Sequence, residues 1–169
     1  MTRLLAAALC VGLGLVPSAR ADSGQAANDW RSFQGTWSAA GRRHAVSLDG
    51  GRTAAIVELS GAVVITSGEG LGRGFRGEVI GFDDGEGMSA GRAVWTDERG
   101  DRIYVRLTGD AIKGGQRISA LITGGTGRYT GIAGDFTFTW QYVLAADGDR
   151  IQGRAADLTG RVRRAGTTP

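Results

Sequence analysis

The 169-residue chain has one cysteine, Cys10, and two prolines, Pro17 and Pro169. With no second thiol it builds no internal disulfide, and a Cys/His structural zinc site is excluded. It also has a single histidine, His44, so the usual catalytic zinc set and a Ser-His-Asp arrangement lack support, and no G-x-S-x-G elbow occurs. His44 reads as an exposed strand-end residue. Segments with three-four apolar spacing are nearly missing, which predicts very little helix. Charge of one sign is not clustered outside Arg161 to Arg164, which argues against a nucleic-acid groove.

What is present begins with an apolar run. Leu4 to Val16 follows Arg3 and precedes Pro17 and the small-x-small site Ala19-Arg20-Ala21. This is the layout of a secretory signal peptide over residues 1–21, with cleavage before Asp22. The run is short for a membrane span, and no later stretch is long enough to be one. Cys10 lies inside the run, and Leu9 before it argues against a lipid-anchor site. The expected location is secreted or periplasmic. Without Arg3 and Arg20 the chain carries 18 basic against 17 acidic residues, a net charge of about +1 rather than the +3 of the full sequence.

Glycine dominates the remainder, with 30 residues in the full chain and no collagen period. Glycines separate short apolar runs, the pattern of many strands joined by tight turns. Residues 22–33 read as a flexible leader, 34–164 as one barrel domain, and 165–169 as a flexible tail. Strand segments are expected at Gly35 to Ala39, Ala54 to Leu59, Ala62 to Thr66, Phe75 to Phe82, Ser89 to Thr96, Arg102 to Thr108, Arg117 to Thr123, Asp135 to Leu144 and Arg150 to Arg161. Gly61 is expected to mark a bulge or bend. Phe136, Phe138, Trp140 and Tyr142 share one strand face; Ile103, Val105 and Leu107 lie opposite Tyr104 and Arg106. Short antiparallel strands without cover helices leave a sandwich or a closed barrel, and closure removes edges that no proline protects. The expected fold is all-β: a single closed antiparallel barrel of about eight strands.

The stretch "GGTGRYTGIAG", Gly124 to Gly134, satisfies the bare G-x-G-x-x-G expression but leads into another strand, and no lysine follows it. Without a helix N-terminus, a phosphate finds no bundle of free N–H groups. Gly124, Gly125, Gly127, Gly131 and Gly134 read instead as a strand-to-strand corner over which Tyr129 lays its ring, with Arg128 solvated or pairing at the corner. Together with the preceding hairpin "GRAVWTDERGDRIYVRLTGD", this segment resembles the dirigent and allene oxide cyclase barrel group. Its members are eight-stranded antiparallel barrels of calycin-like shape with a glycine segment of this kind between two late strands. The resemblance covers roughly Phe75 to Val162. It implies the fold and admits an isomerase, cyclase or coupling guide; it assigns no catalytic residue here.

A barrel of this size either fills with side chains or holds one small ligand. Trp95, Tyr104, Phe136, Phe138, Trp140 and Tyr142 are the candidate ligand-lining rings. Glu58, Glu78, Arg106 and Asp135 are the weak acid-base candidates, with Asp97, Asp157 and Arg154 also in strand context; a carboxyl buried beside rings would have a raised pKa. No metal or cofactor is expected, and the acidic turn Asp83 to Gly87 lacks the calcium-loop pattern. The leading expectation is an exported, non-catalytic barrel that binds a small hydrophobic or aromatic molecule. The alternatives are a filled barrel serving as a structural or partner-binding envelope protein, and a cofactor-free isomerase or coupling guide. Assembly of several copies is compatible with partly apolar strand exteriors.

Overall fold

The computed structural model describes residues 30–164, with the backbone alone for 144–147. The expected signal segment, most of the expected leader and the expected tail lie outside the described residues. Eight strands follow in order: β1 (Arg31–Ser47), β2 (Thr53–Gly68), β3 (Gly74–Asp83), β4 (Met88–Thr96), β5 (Arg102–Ile112), β6 (Gly115–Gly125), β7 (Ile132–Asp147) and β8 (Arg150–Arg164). Each pairs antiparallel with its neighbour in sequence, and β8 pairs back onto β1, closing the barrel. Two short 3-10 turns, Asp49–Gly51 and Gly127–Tyr129, are the only helical elements among the described residues.

The strands are longer than their apolar runs suggest. β1 takes in Phe33, and the two runs around Gly61 form one strand. The expectation of a bulge at Gly61 is not met. Gly61 stays in register between Ala39 and Gly77, and its α-carbon lies so close to β1 that a side chain would overlap the Ser38 carbonyl. Irregularities fall elsewhere: β2 bulges near its end at Thr66, and in β8 the pairings with β1 and with β7 both slip beside Asp157. Asp157 has a left-handed backbone, φ 55°, which a short polar side chain tolerates better than most.

Period two explains the core. Phe33 and Trp37 of β1, Leu59, Val63 and Ile65 of β2, Ile103 and Val105 of β5, and Phe136, Phe138 and Trp140 of β7 all turn inward and are buried. The rings form a continuous column. Successive centroids run Tyr129–Phe75 at 5.7 Å, Phe75–Trp95 at 5.7 Å, Trp95–Phe136 at 4.9 Å and Phe136–Phe138 at 6.2 Å. The column continues Phe138–Trp37 at 6.1 Å, Trp37–Trp140 at 4.9 Å and Trp140–Tyr142 at 6.2 Å. Tilted and edge-on pairs at such spacings add to the burial energy of each ring. Inward glycines make room for this column: a side chain at Gly153 would overlap the Trp140 indole.

Antiparallel order sends alternate connections to opposite ends of the barrel. At one end the β2–β3, β4–β5 and β6–β7 connections are tied together. Tyr129, 1% exposed, accepts the Gly72 N–H at 3.3 Å, and Arg128 donates Nε to Asp97 at 2.7 Å. This end is plugged. The opposite end carries the β1–β2, β3–β4, β5–β6 and β7–β8 connections.

Candidate functional site

The plug is built by the glycine-rich corner. The chain leaves β6, makes one 3-10 turn at Gly127–Tyr129 and enters β7 at Ile132 with no α-helix. Gly127 adopts φ 51°, and a side chain there would overlap the Asp101 carboxylate. Gly125 is needed for close approach: a Cβ would stand 2.6 Å from the Arg102 carbonyl oxygen and 2.7 Å from the Tyr129 Cβ. Gly124 and Gly131 also take positive φ, while Gly134 lies so tightly against β8 that a side chain would overlap the Arg161 carbonyl.

Asp97 is the one buried charged residue of the described core. Burial alone would push its carboxyl up. The N–H groups of Arg99 and Asp101, at 2.8 and 3.0 Å, and the Arg128 guanidinium outweigh that and hold it below the ordinary aspartate value. The sequence-level expectation of a raised pKa beside rings therefore does not describe Asp97, because every oxygen of this carboxylate meets a donor.

The open end holds an apolar cavity of about 70 Å³. Its origin is local. Gly81 of β3 and Gly91 of β4 stand directly opposite each other and both line the cavity, leaving bare backbone on that stretch of wall. Trp37, Phe138, Trp140 and Tyr142 line it too, with Leu59 and Ile118. Polar groups are few. Ser89 Oγ donates to Gln116 Oε1 at 3.1 Å, and Asp83, Thr108 and the half-buried Tyr142 complete the set. Burial pushes the Tyr142 phenol above its ordinary value; nearby Arg43 opposes this and Asp83 reinforces it, so the hydroxyl is a neutral donor at pH 7. Asp83 also accepts the Gly85 N–H at 3.0 Å, and Asp84 accepts those of Glu86 and Met88, so the acidic turn satisfies its own backbone.

Of the rings singled out in the sequence, Phe138, Trp140 and Tyr142 line this cavity, whereas Trp95 and Phe136 lie deeper in the column, toward the plug. Tyr104 is on the outer wall, 37% exposed. Trp37 was missing from that set, although it is in phase with Phe33 and Ala39 on the inner face of β1; that alternation was the signal for it. Its indole N–H is buried without a protein acceptor.

The acid-base candidates are scattered over the outside. Glu58 and Arg106 are exposed, Glu78 pairs with Arg76 on the outer wall, and Asp135 pairs with Arg161 at 3.0 Å. Asp157 is exposed at the β8 bulge, and Arg154 reaches Gln141 on the outer face at 3.3 Å. None of these residues lines the cavity. His44 is exposed on β1, opposite Ile56. No group of three or more metal-ligating side chains, and no helix long and apolar enough to cross a membrane, occurs among the described residues.

The chain is thus a closed eight-stranded antiparallel barrel of general calycin-like shape with a plugged end and an open one. No family model matches it, and neither a curated protein nor a solved structure shows significant similarity to it.

Proposed function

We propose that this protein is an exported, non-catalytic barrel that takes the apolar end of a small hydrophobic or aromatic molecule into its open end. The observation that carries the reading is the Gly81–Gly91 pair, which leaves the wall bare where the Trp37, Phe138, Trp140 and Tyr142 rings line the same space. A concave apolar site with a few polar groups at its edge is the usual form of a small-molecule site. At about 70 Å³ the space equals roughly five water positions, which suits one substituted ring or a short acyl end. Ser89, Gln116 and Tyr142 are the groups available to a ligand hydroxyl or carbonyl.

Binding is favoured over turnover because the strand-borne candidates Glu58, Glu78, Arg106 and Asp135 sit outside the cavity. Membership of the dirigent and allene oxide cyclase barrel group remains part of this proposal, supported by the Gly124-to-Gly134 corner and the barrel order. The signal-like N-terminus supports export to the periplasm or beyond.

Titration of the purified chain with indole, benzyl alcohol and hexanol tests this, read by tryptophan fluorescence. Saturable changes are expected in the wild type. Gly81→Leu should abolish them without loss of thermal stability, because a Cβ at Gly81 meets its nearest atom at an ordinary 3.5 Å and the rest of the side chain enters the cavity. No saturable change in the wild type, or unaltered binding in a folded Gly81→Leu variant, would sink the reading.

A further inference from the structure

The outer wall of β2, β3 and β4 carries an apolar stripe near the open end. Ile80 is 65% exposed, Ile56 56% and Phe82 52%. Cross-strand register sets these residues in two rows: Glu58, Ile80 and Arg92 in one, and Ile56, Phe82 and Ala90 in the next. Exposed aliphatic and aromatic side chains gathered on adjacent strands mark an interaction surface.

The charges beside the stripe have a specific order. Glu58 stands one strand to one side of Ile80 and Arg92 one strand to the other. Neither takes part in an ion pair among the described residues. Arg42, the cross-strand partner of Glu58 on β1, is turned to Asp149 instead. Arg92 faces Arg106 on β5, a like-charge pair directly across the strands, which is unfavourable without a carboxylate nearby.

We propose that this wall seats a second copy of the same chain in a two-fold dimer whose axis lies along β3. That axis exchanges the two flanks. It sets Ile80 on Ile80, Phe82 on Phe82 and Ile56 on Ala90, and it brings Glu58 of each copy to Arg92 of the other. An axis across the strands keeps β2 against β2, so Glu58 meets Glu58 or Ile56 and never Arg92; the charge order selects the first arrangement. An isologous contact of this kind is the commonest route to a soluble oligomer. Arg42 and Arg106 lie two strands out, where two convex walls diverge.

The wall is small. Three to four strands about 4.8 Å apart and eight residues of about 3.3 Å each give roughly 400–500 Å², below the roughly 800 Å² per partner of a standard interface. The dimer is therefore reversible, with dissociation in the micromolar range.

Sedimentation equilibrium across roughly 1–500 μM protein, at about 50 mM salt, tests this. The wild type should pass from monomer to dimer within that range. Ile80→Asp should remain monomeric, and Glu58→Arg should weaken association at least tenfold. The double variant Glu58→Arg/Arg92→Glu restores the opposite charges and should recover dimerisation to within about threefold of wild type. Thermal unfolding of each variant at wild-type temperature shows that the barrel is intact. A wild-type chain monomeric at 500 μM, a dimer indifferent to Ile80→Asp, or failure of the charge swap to restore what Glu58→Arg removes in folded protein would each overturn the proposal.

Discussion

Arg128 donates its Nε to Asp97 Oδ2 at 2.7 Å, and the Asp97 side chain is wholly shielded from solvent. The same guanidinium reaches the Tyr129 hydroxyl at 3.1 Å. One carboxylate thus joins the β4–β5 turn, through the N–H groups of Arg99 and Asp101, to the β6–β7 corner.

Losing Asp97 should therefore loosen two connections at once. Asp97→Ala is expected to destabilise by about 3 kcal/mol, since it strips two N–H groups of their acceptor and takes from the half-buried Arg128 guanidinium its buried partner, leaving it Glu98 and the Tyr129 hydroxyl. The sign of the acid response follows from its lowered pKa. The contribution is complete above the ordinary aspartate value of about 4 and is lost as pH falls through the lower, folded value. Urea unfolding at pH 7 and pH 2.5 should show a smaller wild-type-to-Asp97→Asn difference at the acid end.

Tyr129 separates ring from hydroxyl. Tyr129→Ala should cost about 3 kcal/mol by deleting a buried ring against Phe75. Tyr129→Phe keeps the ring and loses the Gly72 and Arg128 hydrogen bonds, for about 1 kcal/mol. Equal thermal midpoints for Tyr129→Ala and wild type would show that the ring does not hold the corner.

At Gly153 even one methyl should be costly. Its Cβ would lie 2.6 Å from the Gln141 carbonyl oxygen as well as overlapping the Trp140 indole. Gly153→Ala is expected to destabilise by about 2 kcal/mol through overpacking. Because Trp140 lines the cavity, its emission maximum should shift in the same variant.

His44 offers a contrasting expectation. It is exposed and makes no side-chain bond among the described residues, so His44→Ala should change stability by less than about 0.5 kcal/mol and leave ligand titrations unaltered. A large loss in binding would require His44 to act at the mouth.

Alternation and glycine punctuation made the strands legible. "FTFTWQY" puts Phe136, Phe138, Trp140 and Tyr142 on one face, and all four belong to the interior column. The corner at Gly124 to Gly134 was legible because a strand, not a helix, follows it. Tyr104 shows where the reading faltered: its alternation with Ile103 and Val105 already placed it with Arg106, on the outside. Glu58 is harder, since it shares its face with Ile56, an exposed apolar residue that gives no clue to which side is inward. The cavity was not legible, because the Gly81–Gly91 pairing depends on hairpin register set through the Asp84 turn. Trp37 went unrecognised although its strand segment was expected, because Phe33, the ring in phase with it, was assigned to the leader and the alternation along β1 was cut short.

The alternation of connections between the two ends has a consequence for change over time. Whatever happens at Asp49–Gly51, at Asp84–Gly87, at Lys113–Gly114 or at Gly148–Asp149 alters the rim and leaves the Asp97–Arg128–Tyr129 fastening untouched. Insertions there would meet little resistance from folding, so new specificities could be grafted onto this scaffold, or selected in it, one short turn at a time.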